Sequence, residues 1–179
     1  MNTYIAFLRG VNVSGKHKIP MGELRELCDE IKLLEVKTYI QSGNVIFKSE
    51  VDSTTELENQ LSKAILKHFE FEVPVIVKTI GQLVEILDKN PYESKDEILR
   101  KQNYFVLLYN KASTEEVEKL KTESFKNEEF SVSDNCIYLK CKAGYGKAKL
   151  NNNLVERKLK VLATTRNYRT MMKLLSMPN

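Results

Sequence analysis

The chain has 179 residues, enough for one domain or two small ones, and its 42% hydrophobic content supports a real core. Its apolar runs fall far short of the ~20 residues a membrane helix needs, and Arg9 ends the short apolar stretch near the N-terminus, so neither a membrane span nor a signal peptide is expected. The formal charge of +4 conceals an asymmetry: residues 140–173 carry ten bases and one acid, Glu156, a net of +9, while the remainder nets −5, which suggests an anionic partner for the basic segment.

In chain order, residues 3–8 alternate as a strand, with Tyr4 and Phe7 on opposite faces. The following loop, "GVNVSGKH", nearly reproduces the phosphate loop G-x-x-x-x-G-K-[ST]. The match fails on chemistry. His17 stands where a hydroxyl would bind magnesium, and the next helix does not start until Pro20, which leaves Lys16 outside it. No strand ends in an aspartate suited to a magnesium partner. The loop, with Arg9, Asn12, Ser14, Lys16, His17 and Lys18, suits a smaller anion or a plain connection.

Pro20 and Met21 open an amphipathic helix carrying Leu24, Leu27, Cys28 and Ile31 at helical spacing. "VKTYIQ" and "NVIFKS" read as strands around a tight Ser42-Gly43 turn. Thr54 or Thr55 is expected to cap the next helix, whose stripe is Leu57, Leu61, Ile65 and Phe69. "VPVIVKT" closes a β-α-β-β-α-β order, the ferredoxin-like pattern. Lys37, Tyr39 and Gln41 share one strand face, which Lys48 and Lys78 could extend. The strands lack the paired aromatics of an RNA-binding sheet of this kind.

After a helix over 80–89 and a charged loop over 90–102, the order starts again. "YFVLLY" is a strand, and Ser113 or Thr114 opens a helix with acids in its first turn. "EFSVS" and "CIYLKC" form a hairpin around Asp134-Asn135, and Asn151 to Asn153 can cap "NNLVERKLKVL". No closing strand is evident. Thr164 or Thr165 reads as the cap of a final helix over about 167–176, with Arg166 and Arg169 in its first turns. Two arginines oppose the positive end of the helix dipole, a conflict that a bound anion would offset. The glycine-flanked Tyr145 and the nearby lysines read as a mobile loop able to close over a ligand. The expected fold is therefore α+β: a ferredoxin-like subdomain over residues 1–79, and over 80–179 a second, truncated one with basic C-terminal helices.

Cys28, Cys136 and Cys141 show no pairing pattern and are expected to be buried, reduced thiols. No metal-ligand spacing occurs, so neither a metal nor a cofactor is expected.

The motifs "FLRGVNVSGKHKIPMGELREL", "VKTYIQSGNVIF" and "ATTRNYRTMMKLL" closely resemble a bacterial family known as domain of unknown function 1697. The family's signature positions fall on Arg9, Gly10, Asn12, Gly15, Thr38, Tyr39, Ser42, Gly43, Asn44, Thr165, Arg166 and Asn167. Ser14 stands where glycine is common, and Tyr168 where tryptophan is common. The resemblance implies a cytoplasmic α+β protein of ferredoxin-like subdomains and implies no activity. The functional expectation is binding of a phosphorylated or otherwise anionic small ligand by Arg9, Asn12, Lys16, Ser42, Asn44, Thr165, Arg166 and Asn167. Three alternatives stand beside it. One is an enzyme acting on such a ligand, for which His17 and Tyr39 are the nearby acid–base candidates. The second is nucleic-acid binding through the basic segment. The third is an interaction module built on the Lys37/Tyr39 face. Catalytic residues and oligomeric state are not specified by the sequence.

Overall fold

A computed structural model describes residues 1–13 and 15–177. The reading at Ser14 lies outside the described residues. The chain divides into two compact units, one of Met1–Val84 with Lys173–Asn179 and the other Glu85–Met172.

The first unit contains β1 (Asn2–Leu8), α1 (Met21–Glu30), β2 (Leu34–Tyr39), β3 (Asn44–Ser49), α2 (Thr54–Phe69) and β4 (Val75–Thr79). Its antiparallel sheet runs β2-β3-β1-β4, as the β-α-β-β-α-β order requires. One sheet face meets both helices through Tyr4, Ala6, Leu8, Val45, Phe47, Val75 and Val77. α2 supplies Leu57, Leu61 and Ile65, each 0% exposed. Their burial stabilises the unit by roughly 1.5–3 kcal/mol per side chain. The helix is capped by Ser53, whose hydroxyl accepts from the Glu56 amide at 3.2 Å, one residue before the expected threonines. Asp52 precedes that serine, and the whole run S-T-T offers competent caps, so local sequence did not choose among them.

The other face carries Lys37 and Tyr39 beside Asn44 and Ile46, then Ile5, Phe7, Ile76 and Lys78. Ile5, Phe7, Ile46 and Ile76 are at most 2% exposed. Phe7 is therefore no stacking platform for a base, and the basic residues border an apolar, buried centre.

α3 (Ile80–Asp88) leads into the second unit, which holds α4 (Glu97–Arg100), β5 (Asn103–Leu108), α5 (Thr114–Lys121), β6 (Glu128–Val132), β7 (Cys136–Cys141), α6 (Asn152–Leu159) and β8 (Ala163–Asn167). α7 (Tyr168–Ser176) follows directly. The sheet order β6-β7-β5-β8 repeats that of the first unit. The α+β class is as expected, but the expected truncation of the second subdomain does not hold, because its antiparallel sheet also has four strands. The closing strand exists: "ATTRN" pairs with β5, Phe105 opposite Arg166 and Val106 opposite Thr165. Thr164 and Thr165 are strand residues rather than helix caps. Their β-branched side chains fit a pleated surface, and the ladder to β5 supplies backbone partners that local sequence could not reveal. The cap of α7 is Asn167, whose Oδ1 accepts from the Thr170 amide at 2.8 Å.

No helix among the described residues is long and apolar enough to cross a membrane.

Candidate functional site

The opening loop leaves β1 at Arg9, whose amide donates to the Pro74 carbonyl at 2.9 Å. Asn12 adopts a left-handed φ of 55° and knots the loop. Its side-chain Oδ1 accepts from the Ile19 amide at 2.9 Å, while Nδ2 donates to the carbonyls of Ile19 at 2.9 Å and Gln41 at 2.8 Å. Both amide hydrogens are thereby committed to backbone. Lys16 is exposed on a small reverse turn, where its amide donates to Val13. α1 begins only at Met21, so no helix N-terminus faces Lys16, and the near-phosphate-loop lacks the helix that gives the motif its chemistry. His17 is exposed, its ring stacked on Phe71 at 4.8 Å.

The Gln41-Ser42-Gly43-Asn44 turn packs against this loop. Leu8 donates its amide to the Gly43 carbonyl at 2.8 Å. Gly43 has φ +71°, and a Cβ there would lie 2.6 Å from Leu8 Cβ and 2.7 Å from Val11 Cγ2. Asn44 is fully buried and donates through Nδ2 to the Tyr39 carbonyl at 3.0 Å and to the Ser42 hydroxyl at 2.9 Å. The structure thus joins the opening loop to the Ser42–Asn44 turn through the Asn12 bond to the Gln41 carbonyl, while Asn44 braces the turn from within through Tyr39 and Ser42.

Thr165, Arg166 and Asn167 belong to the second unit. The Thr165 hydroxyl donates to Asn152 Oδ1 at 2.6 Å and accepts from the Tyr145 hydroxyl at 3.0 Å, and the Asn152 amide donates to Tyr145 at 3.2 Å. Tyr145 also stacks on Tyr104, and both carboxylate oxygens of Glu128 accept amides from Lys149 and Leu150, at 2.7 and 2.8 Å. The segment expected to be a mobile lid is tied at both ends. Arg166 is only 7% exposed and donates to the Thr164 hydroxyl and the Thr165 carbonyl. Desolvation pulls its guanidinium down to about 10, still charged at neutral pH.

Beside this strand lies a cleft of about 500 Å³, lined by Glu97, Arg100, Lys101, Tyr168, Arg169 and Met172. α4 and its flank bring Arg100 and Lys101, and the first turns of α7 bring Tyr168 and Arg169. The Arg100 guanidinium sits 5.4 Å above the Tyr168 ring, a cation–π contact. Glu93 Oε1 accepts from Arg100 Nε at 3.1 Å and from the Tyr168 hydroxyl at 3.3 Å, and forms an ion pair with Arg100 Nη2 at 2.9 Å. The Tyr168 hydroxyl is held above its usual range by burial, reinforced by Glu93. In the sequence this wall lies within the charged loop expected over residues 90–102. The available signal was Glu93 and Arg100 placed seven residues apart around Asp96, a helix-capping aspartate whose Oδ1 accepts from the Ile98 amide. Arg169, expected in a helix start, is there, whereas Arg166 points from a strand.

Residues 1–138 match the family described as "Protein of unknown function (DUF1697)", and the chain belongs to that family. No curated protein matches it. Among solved structures it is similar in fold to a conserved bacterial protein, SP0830 from Streptococcus pneumoniae, with a TM-score of 0.76 and 24% identity over 99% of each chain.

Proposed function

We propose that this member of the family binds a small phosphorylated or otherwise anionic ligand in the cleft beside Tyr168. The observation that carries the reading is the lining itself: three cations, Arg100, Lys101 and Arg169, around an aromatic ring, against Glu97 in the wall and Glu93, which pairs with Arg100. Guanidinium groups present fixed, paired donors to phosphate or carboxylate oxygens, and a concave, partly apolar wall strengthens them by excluding water. In this reading Thr165 and Asn167 act by position. Thr165 anchors β8 and Asn167 starts the helix that presents Arg169. Within the first unit, Arg9, Asn12, Lys16 and Ser42 are proposed as a second, separate anion-contact surface, with Arg9 and Lys16 supplying charge, Asn12 and Ser42 shaping the loops, and the buried Asn44 bracing the turn beneath them. Binding rather than catalysis is favoured because His17 is exposed and stacked on Phe71, with no carboxylate orienting it among the described residues. The buried cysteines, none of them in a disulfide, suit a reducing compartment, which supports a cytoplasmic location.

The test is thermal unfolding at fixed ionic strength with inorganic pyrophosphate, then with phosphorylated metabolites and nucleotides. A ligand at a hundred times its Kd stabilises the native state by roughly 2.7 kcal/mol. The wild type should gain stability, and Arg169→Ala and Lys101→Ala should lose most of the gain. Absence of a shift with every anion would remove the proposal.

A further inference from the structure

The geometry points to Glu93 as a built-in competitor that occupies the anion position of the cationic cleft and is exchanged for the incoming ligand. This rests on the cleft being an anion site, and it concerns how that site is regulated. Two hydrogen bonds and an ion pair converge on one oxygen, Glu93 Oε1: Arg100 Nε donates at 3.1 Å, the Tyr168 hydroxyl donates at 3.3 Å, and Arg100 Nη2 lies 2.9 Å away. A guanidinium edge and a phenol aimed at a single oxygen form the arrangement that would hold an oxygen of an external phosphate or carboxylate. Both donor residues line the cleft; the carboxylate that occupies them comes from its margin.

The occupant is held loosely and the receptor firmly. The Glu93 and Arg100 side chains are 43% and 36% exposed, so the ion pair is a partly solvated one of small net worth. Arg100 has a second hold, a cation–π contact with the Tyr168 ring at 5.4 Å, made to the ring face rather than to a carboxylate. The backbone beside Glu93 is pinned as well. Asn90 Oδ1 accepts from the Tyr92 amide at 3.1 Å, and Asn103 donates through Nδ2 to the Tyr92 carbonyl at 2.8 Å, with Asn103 only 1% exposed. Exchange therefore requires a rotation of the Glu93 side chain and no movement of the strap. The ligand replaces hydrogen bonds that Arg100 and Tyr168 already make, so affinity is set by the difference between two anions. Weak or unsuitable anions are thereby excluded.

Isothermal titration of inorganic pyrophosphate at fixed ionic strength, into the wild type, Glu93→Gln and Glu93→Asp, decides the matter. Glu93→Gln removes the charge, and a unit charge at contact distance is worth roughly a fivefold change in affinity even in bulk water. Glu93→Asp keeps the charge but shortens its reach to Arg100. Tighter binding by both variants, about fivefold or more for Glu93→Gln, is the expected result. Tightening by Glu93→Gln alone would reduce Glu93 to a repulsive charge and overturn the competition. Unchanged affinity in both variants, with the wild type binding, would overturn it too while leaving the anion site intact. Binding by the variants alone would show the competitor to be complete. Failure of all three proteins to bind would remove the site itself, and the competitor with it.

Discussion

Single residues in the signature motifs act mainly on backbone. Gly43 is the clearest case, because two independent constraints meet there. Its φ of +71° disfavours any Cβ, and the space for one is already taken by Leu8 and Val11. Gly10 has the same φ of +71° with nothing within 4 Å of an added Cβ. Gly10→Ala should therefore cost only the left-handed strain, about 1–2 kcal/mol. Gly43→Ala should cost about 1–3 kcal/mol more, from overpacking. Urea denaturation of both variants measures the gap, and equal losses would contradict the packing argument. Asn12→Ala should lose about 2 kcal/mol in the same assay, since three backbone groups lose their partner at once. Pro20, Gly43 and the positive-φ turns were legible as loop chemistry. What Asn12 bonds to was not, because Gln41 lies 29 residues away.

Elements meet through a few polar contacts whose cost depends on pH. Glu58 on α2 accepts the Val77 amide of β4 at 2.8 Å while half-buried. Burial raises its carboxyl above the usual range, against the lowering effects of the Val77 bond and Lys78. A raised carboxyl favours the protonated fold, so its contribution is present below the unfolded pKa and is lost as pH rises through the folded one. Glu58→Gln keeps an acceptor for Val77 without the charge. It should be at least as stable as the wild type at pH 7, and the difference should vanish towards pH 4, as read by thermal melts. Glu115, Glu116 and Glu129 behave oppositely. Hydrogen bonds from Lys119, Lys160 and Lys142 lower them, so their small stabilisation is lost as pH falls. At this scale the longer helices and both hairpins were legible, since periodicity is local, whereas α4 fell inside the expected charged loop and the caps of α2 and α7 fell on neighbouring residues. β8 escaped because five residues beginning with Ala163 and holding Arg166 are a strand only by virtue of β5 beside them.

For the molecule as a whole, the basic segment is less of a free stripe than its composition suggests. Lys142 pairs with Glu129 at 2.7 Å, Lys158 with Glu123 and Lys160 with Glu116, while Arg166 is buried. A generic oligonucleotide column should therefore not retain the protein at about 150 mM salt, where the Debye length is ≈ 8 Å. Retention there would revive the nucleic-acid reading. None of the three cysteines is in a disulfide and all are buried, and burial lifts the thiols of Cys28 and Cys141 to about 12. The folded protein should accordingly leave a disulfide reagent unreacted until denatured. The motifs carried the family, and alternation and helical spacing, encoded within a few residues, carried the α+β class and a repeated β-α-β-β-α order. Composition also carried the charge asymmetry. It takes folding to close the second repeat with β8, to commit the Asn12 side chain to the Ile19 and Gln41 backbone, and to bring Arg100, Tyr168 and Glu93 to one cleft. Glu93 and Tyr168 are 75 residues apart. Neither residue type nor spacing announces such a pairing; it exists because β5 and β8 are neighbours in the sheet and carry the two segments to the same end.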